Sequence, residues 1–228
     1  MELPTLKVER LYRQISGLII QLIREGRFKV GAALPAERDL AKQLGVGRSS
    51  VREALIALEI AGWVEIRTGT GVFVLTDTEK CSNALPEPTS ASDLLEARGL
   101  FEGELAALAA TRGSQAQQDE LAQVLAGMAA EHVENAAFHV LDTRFHLLLA
   151  EMAGNELLRM MAQQLWNERY TPLFQQLENR YGVAEWVGQT VEQHRAIYTA
   201  IAARDAAAAR QAMKEHVACV AERLFRHA

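Results

Sequence analysis

Four side chains in the second half of the chain have the types and spacing of a metal-binding set. Asp142 and His146 are four residues apart, which places them on one face of a helix. His194 and His216 each lie 11 residues from Asp205, so two antiparallel helices turning at Asp205 would bring both imidazoles to the same height. Three imidazoles and one carboxylate inside a helical bundle are a ligand set for Zn²⁺, Ni²⁺ or Mn²⁺.

Each of these histidines, taken alone, also fits a surface position or a satisfied core position. His139 lies one heptad before His146 and faces the same way, so its membership of the metal set stays open. His132 and His227 have no partner at helical spacing, and we interpret them as surface residues.

Three arginines in the first part of the chain suit nucleic-acid binding. Arg48 and Arg52 are four residues apart at the start of a predicted helix, and Arg38 lies on the helix before it. Arginine can donate two hydrogen bonds to guanine O6 and N7 or clamp a phosphate, and Ser49 and Ser50 offer hydroxyl and backbone N–H groups at a helix N-terminus. Any one of these arginines alone could be an ordinary solvated residue, but together they favour a DNA contact, with Arg38 on the backbone.

The elements around these arginines predict a winged helix-turn-helix. Apolar residues at helical spacing predict helices near residues 8–25, 36–44 and 48–61. The apolar face of the first helix is formed by Leu11, Ile15, Leu18, Ile19 and Leu22. Ser50 and Glu53 fit a capping box for the third helix, although Gly47 or Ser49 could be the cap. The following segment, WVEIRTGTGVFVL, predicts a β-hairpin that turns at residues 68–71.

The rest of the chain predicts an all-α antiparallel helical bundle, so the fold class is mainly α. Helices are expected near residues 92–112, 115–130, 136–153, 155–169, 172–181, 184–203 and 206–226. A stretch with Pro86, Pro88 and several Ser and Thr residues divides the two parts. We therefore predict a DNA-binding domain over 1–76, a linker over 77–91, and an all-α domain over 92–228.

Composition bounds the class of protein. Residues 1–75 hold 11 Lys+Arg against 8 Asp+Glu, whereas residues 76–228 hold 13 against 21, so a mildly basic head precedes an acidic body. Two cysteines are too few for a disulfide framework, and no apolar run is long enough to span a membrane. The N-terminal MELPTLKVERLY lacks a signal-peptide pattern, and we expect a cytoplasmic protein.

The segments LPAERDLA, GVGRSSVREAL and GTGVFV resemble the DNA-binding domain of the GntR family of regulators, over nearly all of residues 8–75. The resemblance implies that Arg38, Arg48 and Arg52 contact DNA and that Ser49, Ser50 and Gly69 assist. Gly47 departs from the pattern, because relatives often have Ser or Thr there.

Residues 92–228 resemble the FCD effector domain of the FadR-type subfamily, through LLEARGLFEGELAALAA, LDTRFHLLLAEMAGN, EQHRAIYTAIAARD and MKEHV. The resemblance implies a divalent metal, held by Asp142, His146, His194 and His216, that binds a carboxylate metabolite. It further implies effector contacts from Arg98 and Asn155, although Arg98 could instead pair with Glu102, four residues on. The whole chain is also similar to regulators of hexuronate and sugar-acid catabolism.

These observations predict a transcription regulator, a repressor as is commonest in the family, that binds an operator in double-stranded DNA as a homodimer. A small organic acid at the metal would control operator binding. A direct metal sensor is one alternative. A metal-dependent enzyme is another, but no general base stands near the metal set in sequence and the winged helix would then be unexplained.

Overall fold

The computed structural model of the chain describes residues 10–76, 89–130, 136–181 and 187–226. It is mainly helical and divides after Ser92 into two compact units, an N-terminal unit and a C-terminal unit. Most of the predicted linker, residues 77–88, lies outside the described residues, as do His132 and His227.

Three helices form the body of the N-terminal unit: α1 (Leu11–Arg24), α2 (Glu37–Leu44) and α3 (Arg48–Ile60). Helix α2 ends at Gly45, whose φ of 67° suits the left-handed turn between α2 and α3. The central part of α3 is fully buried and packs against α1, where the buried Ser16 hydroxyl donates to the Ala54 carbonyl over 3.2 Å. The short turn and the buried α3 are the helix-turn-helix that the sequence predicted.

A two-stranded antiparallel sheet completes the unit as the predicted wing. Strands β1 (Val64–Arg67) and β2 (Gly71–Val74) pair Val64 with Val74 and Arg67 with Gly71. Gly69, in the turn between them, has a φ of 71°, a left-handed conformation that glycine adopts without strain. The wing is anchored to α3 because Glu59 accepts a hydrogen bond from the Ile66 backbone N–H at 2.8 Å.

The structure decides between the caps of α3 that the sequence left open. The cap is Gly47, one of the two alternatives, and the capping box of Ser50 and Glu53 is not formed, because Glu53 accepts hydrogen bonds from Ser90 and from the Ser92 backbone N–H. The buried face of α1 is rotated from the predicted one. Leu11 and Leu18 are exposed, whereas the helix buries Tyr12, Ile15, Ser16, Ile19 and Ile23.

Seven α-helices and one short 3-10 turn make up the remaining described chain. They are α4 (Ala91–Arg112), α5 (Gln115–Ala130), α6 (Ala136–Met152), α7 (Glu156–Asn167), the 3-10 turn Glu168–Tyr170, α8 (Pro172–Tyr181), α9 (Val187–Ala202) and α10 (Ala206–Arg226). Their order and extent match the all-α prediction within a few residues. In the described parts of the chain, no helix has the length and apolar character needed to cross a membrane.

Helices α9 and α10 form the predicted pair that turns at Asp205. The Asp205 carboxylate caps α10 by accepting from the Ala208 backbone N–H at 2.9 Å. Arg204 adopts a φ of 60°, and its guanidinium donates to the Ala110 and Gly113 carbonyls at the end of α4. These bonds fix the turn, and with it the register of the two helices that carry His194 and His216.

Candidate functional site

Three histidines from three helices meet inside the C-terminal unit. His146 on α6, His194 on α9 and His216 on α10 each offer a ring nitrogen, and these nitrogens lie within 4.8 Å of one another. The ring centroids of His194 and His216 are 4.4 Å apart, which confirms the shared height predicted from their spacing about Asp205. All three side chains are buried.

The three imidazoles are held by their Nδ1 atoms. His146 Nδ1 lies 2.5 Å from Glu102 Oε2, His194 Nδ1 lies 2.8 Å from the Thr190 carbonyl oxygen, and His216 Nδ1 lies 3.1 Å from Gln193 Oε1. Since each partner atom is an acceptor, each Nδ1 carries the proton and donates. The lone pair of every ring is therefore on Nε2, the atom left to bind an ion.

Asp142 lies beside these nitrogens, as its spacing from His146 predicted. Its Oδ1 is 3.1 Å from His194 Nε2 and 3.8 Å from His146 Nε2. Its Oδ2 accepts from Arg169 Nη1 at 2.7 Å, and Arg169 also pairs with Glu178. One carboxylate oxygen is thus tied to an arginine while the other faces the histidines.

Glu102 joins three elements behind the histidine cluster. Its Oε1 accepts from Arg98 Nε at 2.6 Å and from Trp166 Nε1 at 3.1 Å, and its Oε2 holds His146. The guanidinium of Arg98 also stacks on the Trp166 ring at 4.4 Å. The ion pair between Arg98 and Glu102 is therefore formed, and both side chains are nearly inaccessible to water.

Burial and neighbouring charges keep Glu102 and Asp142 ionised and keep His146 and His216 neutral. Burial alone would raise the pKa of Glu102, but the charge of Arg98 and the hydrogen bond from His146 outweigh it and lower that pKa to about 2. Burial alone would also raise the pKa of Asp142, but contact with His194 and the charge of Arg169 hold that pKa well below its usual value. Burial lowers the pKa of His146, and burial with the neighbouring imidazoles lowers the pKa of His216 well below its usual value.

The residues present fit a divalent metal ion. His146 Nε2 and His194 Nε2 are 3.2 Å apart, and two lone pairs at that distance repel each other unless a cation lies between them. Second partners on Nδ1 are the usual way in which proteins orient histidine ligands. Three nitrogens with one carboxylate oxygen match the donor set expected for Zn²⁺, Ni²⁺ or Mn²⁺.

Two other residues considered for the site, His139 and Asn155, lie at exposed positions. His139 is exposed on α6, so the structure leaves it out of the buried cluster. Asn155 is exposed and caps α7, because its Oδ1 accepts from the Leu157 and Leu158 backbone N–H groups. The structure thus gives Asn155 a role in starting a helix, and its effector contact remains a prediction.

The predicted DNA-contacting residues lie around the turn and the wing of the N-terminal unit. Arg38 on α2 is 82% exposed and lies 3.7 Å from Asp39, while Arg48, Ser49 and Ser50 are half-buried in the first turn of α3. Gly69 is exposed at the wing tip. These positions are those at which a helix-turn-helix presents side chains to DNA.

Arg52 departs from the expectation of an exposed DNA contact. Its side chain is 1% exposed, and its guanidinium forms two-pronged hydrogen bonds to the Glu37 carboxylate at 2.9–3.2 Å. The reason is geometric: one turn after Arg48, α3 already packs against α2, so the Arg52 side chain lies between the helices. In this structure Arg52 joins α2 to α3.

Several side chains that build the site were not singled out from the sequence. The sequence predicts Glu102 only as a partner for Arg98, and it assigns no role to Arg169, Gln193 or Thr190. A signal existed for Gln193 and Thr190, which lie one and four residues before His194 on the same helix. No sequence spacing relates Arg169 to Asp142, because the two are 27 residues apart.

Comparisons with known proteins agree with this architecture. Residues 11–74 match the family model described as bacterial regulatory proteins, gntR family, and residues 93–218 match the FCD domain. The chain is 33% identical to the Uxu operon regulator of Haemophilus influenzae, over 96% of this chain and 83% of that protein. It is 34% identical to the Uxu operon transcriptional regulator of Escherichia coli strain K12, over 95% of this chain and 88% of that one.

A solved structure, the Streptococcus agalactiae GntR, is similar with a TM-score of 0.50 and 29% identity, covering 92% of this chain and 98% of that chain. The relatives are named as regulators and not as enzymes, which agrees with the expectation from sequence. The winged helix-turn-helix, the helical bundle and both family matches lead to one conclusion. This chain belongs to the GntR family of bacterial regulatory proteins, carries an FCD domain as its C-terminal unit, and is a DNA-binding transcription regulator.

Proposed function

We propose that this regulator binds its operator as a homodimer, and that a small carboxylate bound at a metal ion in the C-terminal unit controls this binding. The observation that carries the proposal is the convergence of three Nε2 lone pairs, each fixed by a hydrogen bond from Nδ1. Such convergence in a buried place suits a cation, and the metal would supply a Lewis-acidic point of attachment for an anion.

Charge and donor geometry favour a carboxylate as the effector. Four protein ligands leave two positions on a six-coordinate ion, enough for a hydroxy- or keto-acid that chelates through two oxygens. Arg98 would provide the second anchor. Among the described residues no hydrogen-bond acceptor is found for its two Nη groups, although its Nε is engaged by Glu102. A buried guanidinium in this state suits the far oxygen of a bound carboxylate.

Similarity to the Uxu operon regulators supports a sugar acid such as a hexuronate as this effector. Operator release follows from linkage: an effector that binds the DNA-free form more tightly weakens DNA binding by the same factor. Most regulators of this family repress, and we propose repression here. A recognition helix reads few base pairs, so two half-sites and a homodimer are needed for useful specificity.

The test compares His194→Ala with the matched control His139→Ala, which changes the exposed histidine of α6. Metal content is measured by mass spectrometry after dialysis, and DNA affinity is measured on a site selected from random DNA by the wild-type protein. Glucuronate and galacturonate are the probes. We expect His194→Ala to lose metal and the response to hexuronate while binding DNA normally, and His139→Ala to behave as wild type.

Three results would contradict the proposal in different ways. A normal hexuronate response in His194→Ala places the effector elsewhere. A folded His194→Ala dimer without DNA affinity makes the metal a structural requirement for DNA binding. A chelator that releases the wild-type protein from DNA, without any acid, makes the metal itself the signal.

A further inference from the structure

The structure assigns to Glu102 the role of a positioning residue: it fixes His146 in the tautomer that turns Nε2 toward the metal, without binding the metal itself. This inference rests on the metal site proposed above. It concerns a carboxylate on α4, a helix that contributes none of the four proposed ligands.

The two oxygens of the Glu102 carboxylate have different partners. Oε1 is taken by Arg98 Nε and Trp166 Nε1, two donors that cannot accept a hydrogen bond. Oε2 is left for His146 Nδ1 at 2.5 Å. Because both donors pin Oε1, the carboxylate cannot rotate away, and Oε2 stays directed at the imidazole.

The three histidines differ in the group that accepts from Nδ1. His194 and His216 donate to neutral acceptors, a backbone carbonyl and the Gln193 amide, whereas His146 donates to a carboxylate. A charged acceptor makes the stronger bond and raises the electron density on the opposite ring nitrogen. Glu102 therefore makes the Nε2 atom of His146 a stronger electron donor than a neutral acceptor in its place would.

The side chains of Glu102 and His146 are both shielded from water. The Glu102 side chain is 3% exposed and the His146 side chain is fully buried, so water cannot replace the carboxylate as the acceptor. If position 102 offered a donor to Nδ1, the imidazole would gain by moving its proton to Nε2, and the lone pair facing the cluster would be lost. The tautomer of His146 is thus decided by one side chain.

The decisive variant is Glu102→Gln, which keeps size and shape but loses the charge and one acceptor. Oε1 of the glutamine would still be claimed by Arg98 and Trp166, which turns its amide group toward His146. Glu104→Gln is the matched control, since it makes the same change two residues along α4 in an exposed pair with Arg210. Long-range ¹⁵N–¹H correlation spectra of the metal-free proteins report the tautomer of each histidine.

We expect the Nδ1–H form of His146 in wild type and in Glu104→Gln, and an Nε2–H or mixed population in Glu102→Gln. Titration with Co²⁺ against a competing chelator should show a loss of affinity of about 10- to 100-fold in Glu102→Gln only. An unchanged tautomer, or Co²⁺ affinity equal to that of Glu104→Gln, overturns the inference. If wild type itself fails to bind Co²⁺, the proposed metal site falls, and the tautomer measurement still decides the role of Glu102.

A second variant covers the case in which Glu102→Gln does not fold. Gln193→Glu keeps the oxygen that accepts from His216 and Arg223 but adds a charge, which gives His216 the kind of partner that His146 has. We expect Co²⁺ to bind several-fold more tightly to Gln193→Glu. Gln189→Glu, an exposed change one turn earlier on α9, should have no such effect. Equal affinities in the two variants would show that a carboxylate behind a ligand histidine does not matter here, and would overturn the inference.

Discussion

Among the described residues, each unit of the protein contains an arginine–glutamate pair whose arginine is almost fully buried, and the two pairs do different work. In the N-terminal unit, both oxygens of the Glu37 carboxylate accept hydrogen bonds from Arg52. In the C-terminal unit, Arg98 takes one oxygen of Glu102 and leaves the second for His146. We call the first pair closed, because the arginine binds both carboxylate oxygens, and this pair joins two helices. We call the second pair open, because one carboxylate oxygen remains to contact a candidate metal ligand.

Burial of an arginine therefore does not by itself indicate its role. Arg52 and Arg98 are 1% and 2% exposed and were both expected to contact a ligand, DNA in one case and an effector in the other. The neighbours decide the outcome. Arg52 binds both oxygens of its carboxylate, whereas Arg98 binds one oxygen of a carboxylate whose other oxygen holds His146.

The largest expected effect comes from breaking the closed pair. Arg52→Ala leaves Glu37 without its cation between α2 and α3, and should destabilise the N-terminal unit by about 3–5 kcal/mol. Urea unfolding combined with pulse proteolysis identifies the unit that opens first. The double variant Arg52→Met/Glu37→Leu replaces the pair with apolar side chains and should recover most of the stability.

The double variant also separates structure from DNA contact. If it is stable and binds a selected DNA site as wild type does, Arg52 is a structural residue alone. Stability without DNA affinity would mean that Arg52 leaves Glu37 to contact DNA. A stable Arg52→Ala would show that the pair contributes nothing and would remove the contrast between the units.

A pH change should sharpen the comparison, because all six histidines of the chain follow residue 130. Burial lowers the pKa of His146 and of His216, so the folded C-terminal unit resists protons that the unfolded chain binds below about pH 6.5. Its free energy of unfolding should therefore fall as pH falls below about 6.5, by up to about 1.4 kcal/mol per pH unit for each histidine.

The N-terminal unit has no histidine and should keep its stability over the same range. Pulse proteolysis in urea at pH 7.0 and 5.5, with a chelator present, compares the two units in one molecule. Equal losses in both units would argue against buried, neutral histidines as the cause. At lower pH a second decline is expected, because the depressed pKa values of Asp142 and Glu102 stabilise only their ionised forms.

A smaller effect is expected for arginines that are not in a closed pair. Arg48→Ala should weaken binding to a selected DNA site by about 1–3 kcal/mol if Arg48 reads a base edge. Arg38→Ala, at an exposed phosphate-contacting position, should weaken specific and random DNA alike and reduce the salt dependence. Equal losses for both variants on all sequences would make Arg48 a backbone contact, and no loss in either would contradict the recognition-helix assignment.

The smallest effect is expected at the exposed pair between Glu104 and Arg210. The distance from Arg210 Nε to Glu104 Oε1 is 2.7 Å, which is similar to the distances in the buried pairs. Water and salt screen such a pair, so Glu104→Gln should change the free energy of unfolding by no more than about 1 kcal/mol. Thermal unfolding measures this. A larger loss would mean that distance, and not burial, sets the value of these pairs.

Sequence patterns predicted the structural features that depend on residue spacing within one helix or strand. The helix order, the wing and the meeting of His194 with His216 follow from spacing along single elements, which local physics fixes. The burial of Arg52 could not be predicted in this way, because the pattern that marks α3 as a recognition helix does not say which neighbour packs on each position.

The candidate site was predicted only at the level of its ligands. Asp142 and His146 are visible as an i, i+4 pair, whereas the partners of the histidine Nδ1 atoms come from packing between helices. Glu102 meets His146 across 44 residues of chain, and Trp166 meets Glu102 across 64. Such contacts have no signature in one sequence, so the parts that tune a site are harder to predict than the parts that form it.

Because the chain turns at Asp205, the number of residues between His194 and His216 decides whether the two imidazoles meet. A helix rotates by about 100° and advances about 1.5 Å per residue, so deleting one residue of α10 before His216 would swing that imidazole out of the cluster. Substitutions along the exposed faces of α9 and α10 leave the spacing intact. Over evolutionary time this hairpin should therefore accept many changes of residue type and very few changes of length.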